Sequence, residues 1–254
     1  MNQQQKLVLQ LQKKARERRR EHAFIIEGSK LFEEAPKERI RYTVVSESFA
    51  ARKENRRLLQ GISYETVTDH FFESLSDTKT PQGILAVVDQ YDYTLDDLIP
   101  KDHPALLLVL DTIQDPGNLG TMLRAGEAAG VTGILMNETT VDIYNPKVVR
   151  STMGTIYRMP FHVTTNLPKA VDDLRARGVL TYAAHLQGEC SYEGFSYRSH
   201  TAFLIGNEAN GLSDEVAAKT DHKIKIPMAG KVESLNAAMA ATVLIFEAAR
   251  QRRL

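Results

Sequence analysis

Five polar side chains stand at the ends of apolar runs or in short turns, where side chains of their type could do chemistry. Asn118 and Arg124 follow the turn Asp115-Pro116-Gly117-Asn118; Glu208 sits in the turn Gly206-Asn207-Glu208; Ser234 and Asn236 follow the loop Ile226-Pro227-Met228 to Glu233. An arginine presents a planar fork that holds phosphate or carboxylate in two-point fashion. The carboxylate of Glu208 is an acceptor that can fix amide groups, and Asn and Ser both donate and accept. A strand end, a glycine loop and a helix N-terminus with a polar cap make a receptor for small ligands. Each member also has a plainer reading: Arg124 as a solvated helix arginine, Glu208 as a solvated loop carboxylate, Ser234 as a helix cap.

The elements that would hold these residues follow from apolar patterning. Leu106 to Leu110 is a continuous apolar run suited to a strand buried on both faces. The helix after it has the stripe Leu119, Met122, Leu123 and Ala129, while Arg124 shares a face with Gly117, Gly120, Thr121 and Ala128. A small-residue face beside an arginine suits the close approach of another backbone, a phosphate or a second subunit. Ala202 to Ile205 is another apolar strand, running into the glycine turn of Glu208. Ile224 to Met228 ends a third, and Ser234 is placed to cap a helix from Leu235 to Arg253, with helical spacing at Leu235, Met239, Thr242 and Phe246. Strands at Leu106–Leu110, Gly133–Met136, Phe161–Thr164, Val179–Ala184, Ala202–Ile205 and Lys223–Pro227 alternate with helices, which predicts a mostly parallel α/β sheet.

The residues before this half form their own alternating pattern. Helices are expected at Gln3–Arg20, Ser29–Ala35, Ser48–Gln60 and near Asp69–Leu75, with strands at Ala23–Gly28, Arg41–Val45, Tyr64–Val67 and Gly83–Val88. The predicted division is a small α/β domain at 1–95, a polar linker at 96–104 and a larger α/β domain at 105–254. Lys+Arg and Asp+Glu are both 32, yet residues 1–60 hold 15 basic and 8 acidic residues, a net of +7. Arg16, Arg18, Arg19 and Arg20 are the densest cluster and the candidate nucleic-acid contacts.

Several function classes are excluded. Cys190 is the single cysteine, so no intrachain disulfide or cysteine-rich zinc site can form, and the seven histidines show no paired ligand spacing; no metal is expected. No Gly-x-Gly-x-x-Gly follows a strand. Gly230-Lys231 is not a phosphate-binding P-loop, because Lys225 stands where its first glycine belongs and Val232 where Ser or Thr belongs. No apolar stretch of about 18 residues is present, so no membrane span is expected and the cytoplasm is the expected location.

In this order and spacing, the segments Asp115–Arg124, Gly206–Leu212 and Ile226–Asn236 resemble the three signature motifs of the SpoU/TrmH family of RNA 2′-O-ribose methyltransferases in the SPOUT superfamily. Phe246-Glu247-Ala248-Ala249-Arg250 is similar to that family's final helix, and Ala237-Ala238 departs from the bulkier residues often found there. The resemblance implies a C-terminal sheet with a deep trefoil knot, preceded by an L30e-like RNA-binding domain. It implies S-adenosylmethionine as cofactor, RNA as substrate and a homodimer with sites at the subunit interface. Carried onto matching positions, it makes Arg124 the central catalytic residue, supported by Asn118, Glu208, Ser234 and Asn236. The cofactor-binding residues it implies are Gly206, Ile226, Pro227, Met228 and Leu235. Arg124 and Asn118 of one chain are expected to serve the cofactor held by Ser234 and Asn236 of the partner. The expected substrate is ribosomal RNA, 23S or another; transfer RNA and a non-catalytic assembly factor are the alternatives.

Overall fold

The computed structural model describes residues 1–186, 188 and 190–253. In chain order the first elements are α1 (Gln3–Lys13), α2 (Ala15–Glu21), β1 (Ala23–Glu27), α3 (Ser29–Glu34), β2 (Ile40–Ser46), α4 (Glu47–Ala51), α5 (Arg56–Leu59), β3 (Glu65–Val67), α6 (Asp69–Leu75) and β4 (Ile84–Asp89). There follow β5 (Leu106–Leu110), α7 (Pro116–Ala129), β6 (Gly133–Asn137), α8 (Pro146–Ser151), β7 (Phe161–Thr164), α9 (Leu167–Ala176), β8 (Leu180–Ala184), β9 (Cys190–Ser191), β10 (Thr201–Ile205), α10 (Asp214–Ala217), β11 (His222–Lys225) and α11 (Ala237–Arg253).

These elements form two compact units, Met1–Tyr91 with Asp142–Tyr157, and Asp92–Val141 with Arg158–Leu254. In the first, four strands lie in the order β1-β4-β2-β3. One face buries Ile25, Val44, Leu85 and Val87 against Val8, Leu11, Phe72 and Leu75. Alternation along β1 sends Phe24 the other way, where its ring lies 4.8 Å from that of Tyr144. Tyr144 belongs to the Asp142–Tyr157 excursion, whose Val148 and Val149 are fully buried and whose Tyr157 hydroxyl donates to the Leu31 carbonyl at 2.9 Å. This excursion is a departure from the expected boundaries, since residues 142–157 complete the core of the N-terminal unit. The expected linker is also no loose tether: Leu98 is fully buried in the core of the second unit.

Two predicted helices are interrupted. Gln3–Arg20 breaks at Lys14, which is extended (φ −126°, ψ 112°). There Arg18 folds back to donate to the carbonyls of Leu11 and Gln12 and pairs with Asp142 at 2.7 Å. Ser48–Gln60 breaks at Arg52, a highly charged stretch with no apolar stripe to bury.

The second unit is a seven-stranded sheet in the order β7-β6-β5-β10-β8-β11-β9, every neighbouring pair parallel. Leu107, Val109, Leu135, Ala202 and Leu204 bury one face against Val171 and Leu174 of α9 and Val216 of α10. On the other face α11 lies over β5 and β10 and packs on α7. Strand β11 runs between β8 and β9, which are consecutive in sequence, so the chain joining them straddles a later strand. That crossing is close: a Cβ on Gly188 would stand 2.5 Å from the backbone carbon of Ile224. A knotted α/β fold requires such a passage. The sequence pattern alone argues for an open sheet, because threaded chains are rare.

Candidate active site

The site is built where three parallel strands of the second unit end. Strand β5 stops at Asp111, whose side chain is buried (4 % exposed) although it ends an entirely apolar run. Thr112 then takes a left-handed conformation (φ 62°), which for a β-branched residue costs about 1–3 kcal/mol unless its surroundings hold it. They do. Its N–H donates to Asn137 Oδ1 (2.9 Å), its carbonyl accepts from Asn207 Nδ2 (2.8 Å), and its hydroxyl donates to Asp111 Oδ1 (3.1 Å). The kink turns the chain into Asp115, whose side chain accepts from the Asn118 N–H at 2.8 Å and caps α7, with Pro116 in its first turn.

After β10 the chain reverses through an Asn207–Gly211 bridge. A Cβ on Gly206 would stand 2.0 Å from the Gly211 carbonyl carbon and 2.1 Å from the Leu212 nitrogen, so only glycine fits. Asn207 Oδ1 accepts from the N–H groups of Ala209 (2.9 Å) and Asn210 (3.1 Å), fixing the turn that presents Glu208. The Glu208 carboxylate accepts from Asn118 Nδ2 at 2.8 Å and from the N–H groups of Gln114 and Asp115 at 3.3 and 3.4 Å. Burial pushes its carboxyl up, but these hydrogen bonds outweigh burial and hold it below the usual carboxylate range.

From the third motif comes Asn236, donating from Nδ2 to Asn118 Oδ1 at 3.1 Å. Its Oδ1 accepts from the N–H groups of Ala238 (2.9 Å) and Met239 (3.3 Å). Asn236 therefore caps the last helix in place of Ser234, and α11 starts at Ala237. One long-range partner, Asn118, decides between two equally good capping residues.

Glu208, Asn118 and Asn236 thus make one chain of hydrogen bonds whose polarity is fixed at both ends. Glu208 can only accept, so the Asn118 amide must offer it Nδ2; Oδ1 is then left for Asn236 Nδ2, and Asn236 Oδ1 for the helix N–H groups. None of the three is a proton carrier near neutral pH. Bringing Asn118 and Asn236 together in one chain corrects the expected partition, in which they served different subunits.

The remaining expected residues are placed as follows. Arg124 is on the exposed side of α7, opposite the buried Leu119, Met122 and Leu123, and its side chain has no hydrogen bond or ion pair among the described residues. Ser234 is exposed and likewise without a side-chain hydrogen bond there. Ile226 and Met228 are half-buried; Pro227 and Leu235 are exposed. Among the described residues, Met228 to Leu235 make no backbone hydrogen bonds outside regular elements, so this loop keeps its N–H and C=O groups available. The Leu235, Met239 and Phe246 stripe faces outward, at 37, 53 and 40 % exposure; Ala238, Ala241, Leu244, Ile245 and Ala248 form the buried face of α11 instead. In the first unit Arg16, Arg19 and Arg20 are exposed, but Arg18 is buried and engaged with Asp142, which removes it as an RNA contact. Sequence reasoning missed Asp111, Thr112, Asn137 and Ser213. The available signal was a carboxylate ending a run of five apolar residues. Among the described residues no group of three or more His, Cys, Asp or Glu is arranged to hold a metal, and no helix is long and apolar enough to cross a membrane.

The sequence model of the SpoU rRNA Methylase family matches residues 105–246, and that of the MRM3-like substrate binding domain matches residues 2–86. The 23S rRNA (guanosine(2553)-2′-O)-methyltransferase RlmP of Bacillus subtilis is 34% identical over 237 residues, covering 91% of this chain and 90% of its own. The 23S rRNA (uridine(2479)-2′-O)-methyltransferase of Streptomyces viridochromogenes is 33% identical over 205 residues, 78% of this chain and 71% of its own. Among solved structures, the SpoU methyltransferase AviRb from the same organism, in complex with AdoMet, aligns with a TM-score of 0.89 at 28% identity, covering 100% of this chain and 99% of that one.

Proposed function

The chain belongs to the SpoU rRNA methylase family, and on that premise we propose that it methylates a ribose 2′-hydroxyl of ribosomal RNA, most specifically the large-subunit 23S RNA. The enzyme is a methyltransferase that uses S-adenosylmethionine. The observation that carries the reading is the Glu208–Asn118–Asn236 hydrogen-bond chain, which draws one residue from each of three motifs to a single point.

The residues present fit the cofactor. The loop Met228–Leu235 offers uncommitted backbone donors and acceptors, the pattern needed to read the edge of an adenine, with Ile226, Pro227, Met228 and Leu235 as apolar walls. The tight turn at Gly206 allows close backbone approach. When bound, S-adenosylmethionine supplies a methyl group on a positively charged sulfur. The protein's own work is alignment and proton handling, because a ribose hydroxyl is a poor nucleophile.

We assign that work to Arg124. Its guanidinium stays protonated and is a poor base. As a two-point phosphate clamp it would orient the ribose and lower the pKa of the hydroxyl. Asn118, Glu208 and Asn236 tie the three motif loops to one another, and Ser234, without a side-chain hydrogen bond among the described residues, would be available to the cofactor. Association into a homodimer is supported by the outward stripe of Leu235, Met239 and Phe246 and by the small residues Gly117 and Ala128 near Arg124. The exposed Arg16, Arg19 and Arg20 of the first unit serve RNA phosphates, and a cytoplasmic location follows from a ribosomal substrate.

The test is transfer of tritium from methyl-labelled S-adenosylmethionine to ribosomal RNA purified from a strain lacking this gene, followed by mapping of the resistant phosphodiester bond. Label in transfer RNA alone would replace the ribosomal substrate with the transfer-RNA alternative. No label in any RNA, with binding retained, would favour a non-catalytic assembly factor.

A further inference from the structure

Resting on methyl transfer as the activity, we propose that Asp111 is a positioning residue. It acts through Thr112, Asn137 and Ser213 to lock together the two loops that carry Asn118 and Glu208. Among the described residues its carboxylate takes four hydrogen bonds and no ion pair: Oδ1 accepts from Asn137 Nδ2 (2.8 Å) and the Thr112 hydroxyl (3.1 Å), Oδ2 from the Ser213 N–H (2.9 Å) and hydroxyl (2.7 Å). A buried carboxylate is costly unless fully satisfied in this way, so the arrangement tolerates no loosening.

The network joins separate parts of the site. Ser213 closes the turn that presents Glu208, and Asn137 is the last residue of β6. Through its other end Asn137 accepts from the N–H of Thr112 and from the N–H and hydroxyl of Thr140, at 2.9, 3.1 and 2.8 Å. Thr112 is thereby held on its N–H and its hydroxyl, and by Asn207 on its carbonyl. Its left-handed kink aims the N–H groups of Gln114 and Asp115 at Glu208. If Asp111 fails, the kink relaxes toward ordinary backbone and Glu208 loses Gln114 and Asp115 before α7 and Asn118 on it. The consequence is a mis-set Asn118 with the RNA-binding unit untouched.

The polarity of the network supplies the test. Asp111→Asn places an amide N–H against donors. Asn137→Asp places two carboxylates face to face. Together they restore the match, since the new amide at 111 donates to the new carboxylate at 137 while its oxygen accepts from Ser213. At 137 Oδ1 still accepts from Thr112 and Thr140, and the oxygen that replaces Nδ2 accepts from the new amide at 111 and from the Thr112 hydroxyl, whose hydrogen turns toward it. Steady-state methyl transfer to ribosomal RNA from the deletion strain is measured for wild type, each single variant and the double variant, at a temperature where circular dichroism shows each folded. Each single change is expected to lower kcat by about tenfold or more and raise KM for S-adenosylmethionine, with KM for RNA within about twofold. The double variant is expected to recover to within about threefold of wild type. Should Asp111→Asn not fold, Ser213→Ala, which removes one donor of the four, is expected to lower kcat by about threefold or more with RNA affinity intact. A wild-type kcat in folded Asp111→Asn or in Ser213→Ala, or a double variant no better than the singles, overturns the assignment. A wild-type protein that methylates no RNA removes the underlying reading instead, which the same experiment reports separately.

Discussion

Asn118 and Asn236, 118 positions apart, are hydrogen-bonded to each other at 3.1 Å within one chain. We propose that a composite site at a dimer interface keeps these two residues together and that Arg124 is the residue that crosses.

Co-expression with two tags tests that division. In a mixed dimer of Arg124→Ala and Asn236→Ala subunits, one site is intact and the other doubly damaged, so about a quarter of all sites in a randomly paired pool should work. Mixed dimers of Asn118→Ala and Asn236→Ala subunits should be inactive, because each site carries one lesion. Equal activity in the two mixtures would contradict the arrangement.

Arg124→Ala should lower kcat by at least about 100-fold while calorimetric binding of S-adenosylmethionine survives. Arg124→Lys should not restore it, since an ammonium lacks the planar two-point fork. Turnover near wild type in either variant would remove Arg124 from the mechanism.

Glu208 gives a pH prediction. Its folded-state carboxyl lies below the usual range, so its ionised partnership with Asn118 and the two N–H groups contributes stability that is present above the ordinary glutamate pKa of about 4.3 and lost as pH falls through the lower folded value. The kcat/KM profile should consequently show no acid-side inflection from Glu208 between about pH 5 and pH 8. Glu208→Gln should reduce activity at every pH in that interval. A variant whose loss vanishes at pH 5 would show that the carboxylate titrates in the working range.

The basic cluster of the first unit should separate into two behaviours. Arg16→Ala and Arg19→Ala should weaken RNA binding and each reduce the slope of log affinity against log salt by about one, with the melting temperature unchanged. Arg18→Ala should instead destabilise by about 2–4 kcal/mol, because it removes two carbonyl bonds and leaves Asp142 without its cation. A melting temperature equal to wild type in Arg18→Ala would contradict its structural role.

Much of this architecture was legible in the sequence, for physical reasons. The strand Leu106–Leu110 was readable because a strand buried on both faces must be apolar throughout. Glu208, Asn118 and Asn236 were identifiable from motif resemblance, but their mutual hydrogen bonds join positions 90 and 118 residues apart, and no local pattern encodes that. Helical spacing at Met239 and Phe246 shows the helix but not which face is buried: they face outward, and small alanines form the buried face, allowing α11 to lie close on α7. Asp142–Tyr157 carries no local mark of belonging to the other unit, since its buried Tyr144, Val148 and Val149 look like any helix edge.

That excursion sets the order of events during synthesis. The N-terminal unit lacks Tyr144, Val148 and Val149 until the ribosome has already produced β5, α7 and β6 of the methylase unit, so it cannot finish folding first. Until residue 157 has emerged, Phe24 lacks the ring of Tyr144 and its side of β1, packed by α3, stays partly uncovered without α8. Slowing translation between positions 91 and 157 should lengthen that exposure and lower the soluble yield, although not one residue of the finished protein has changed.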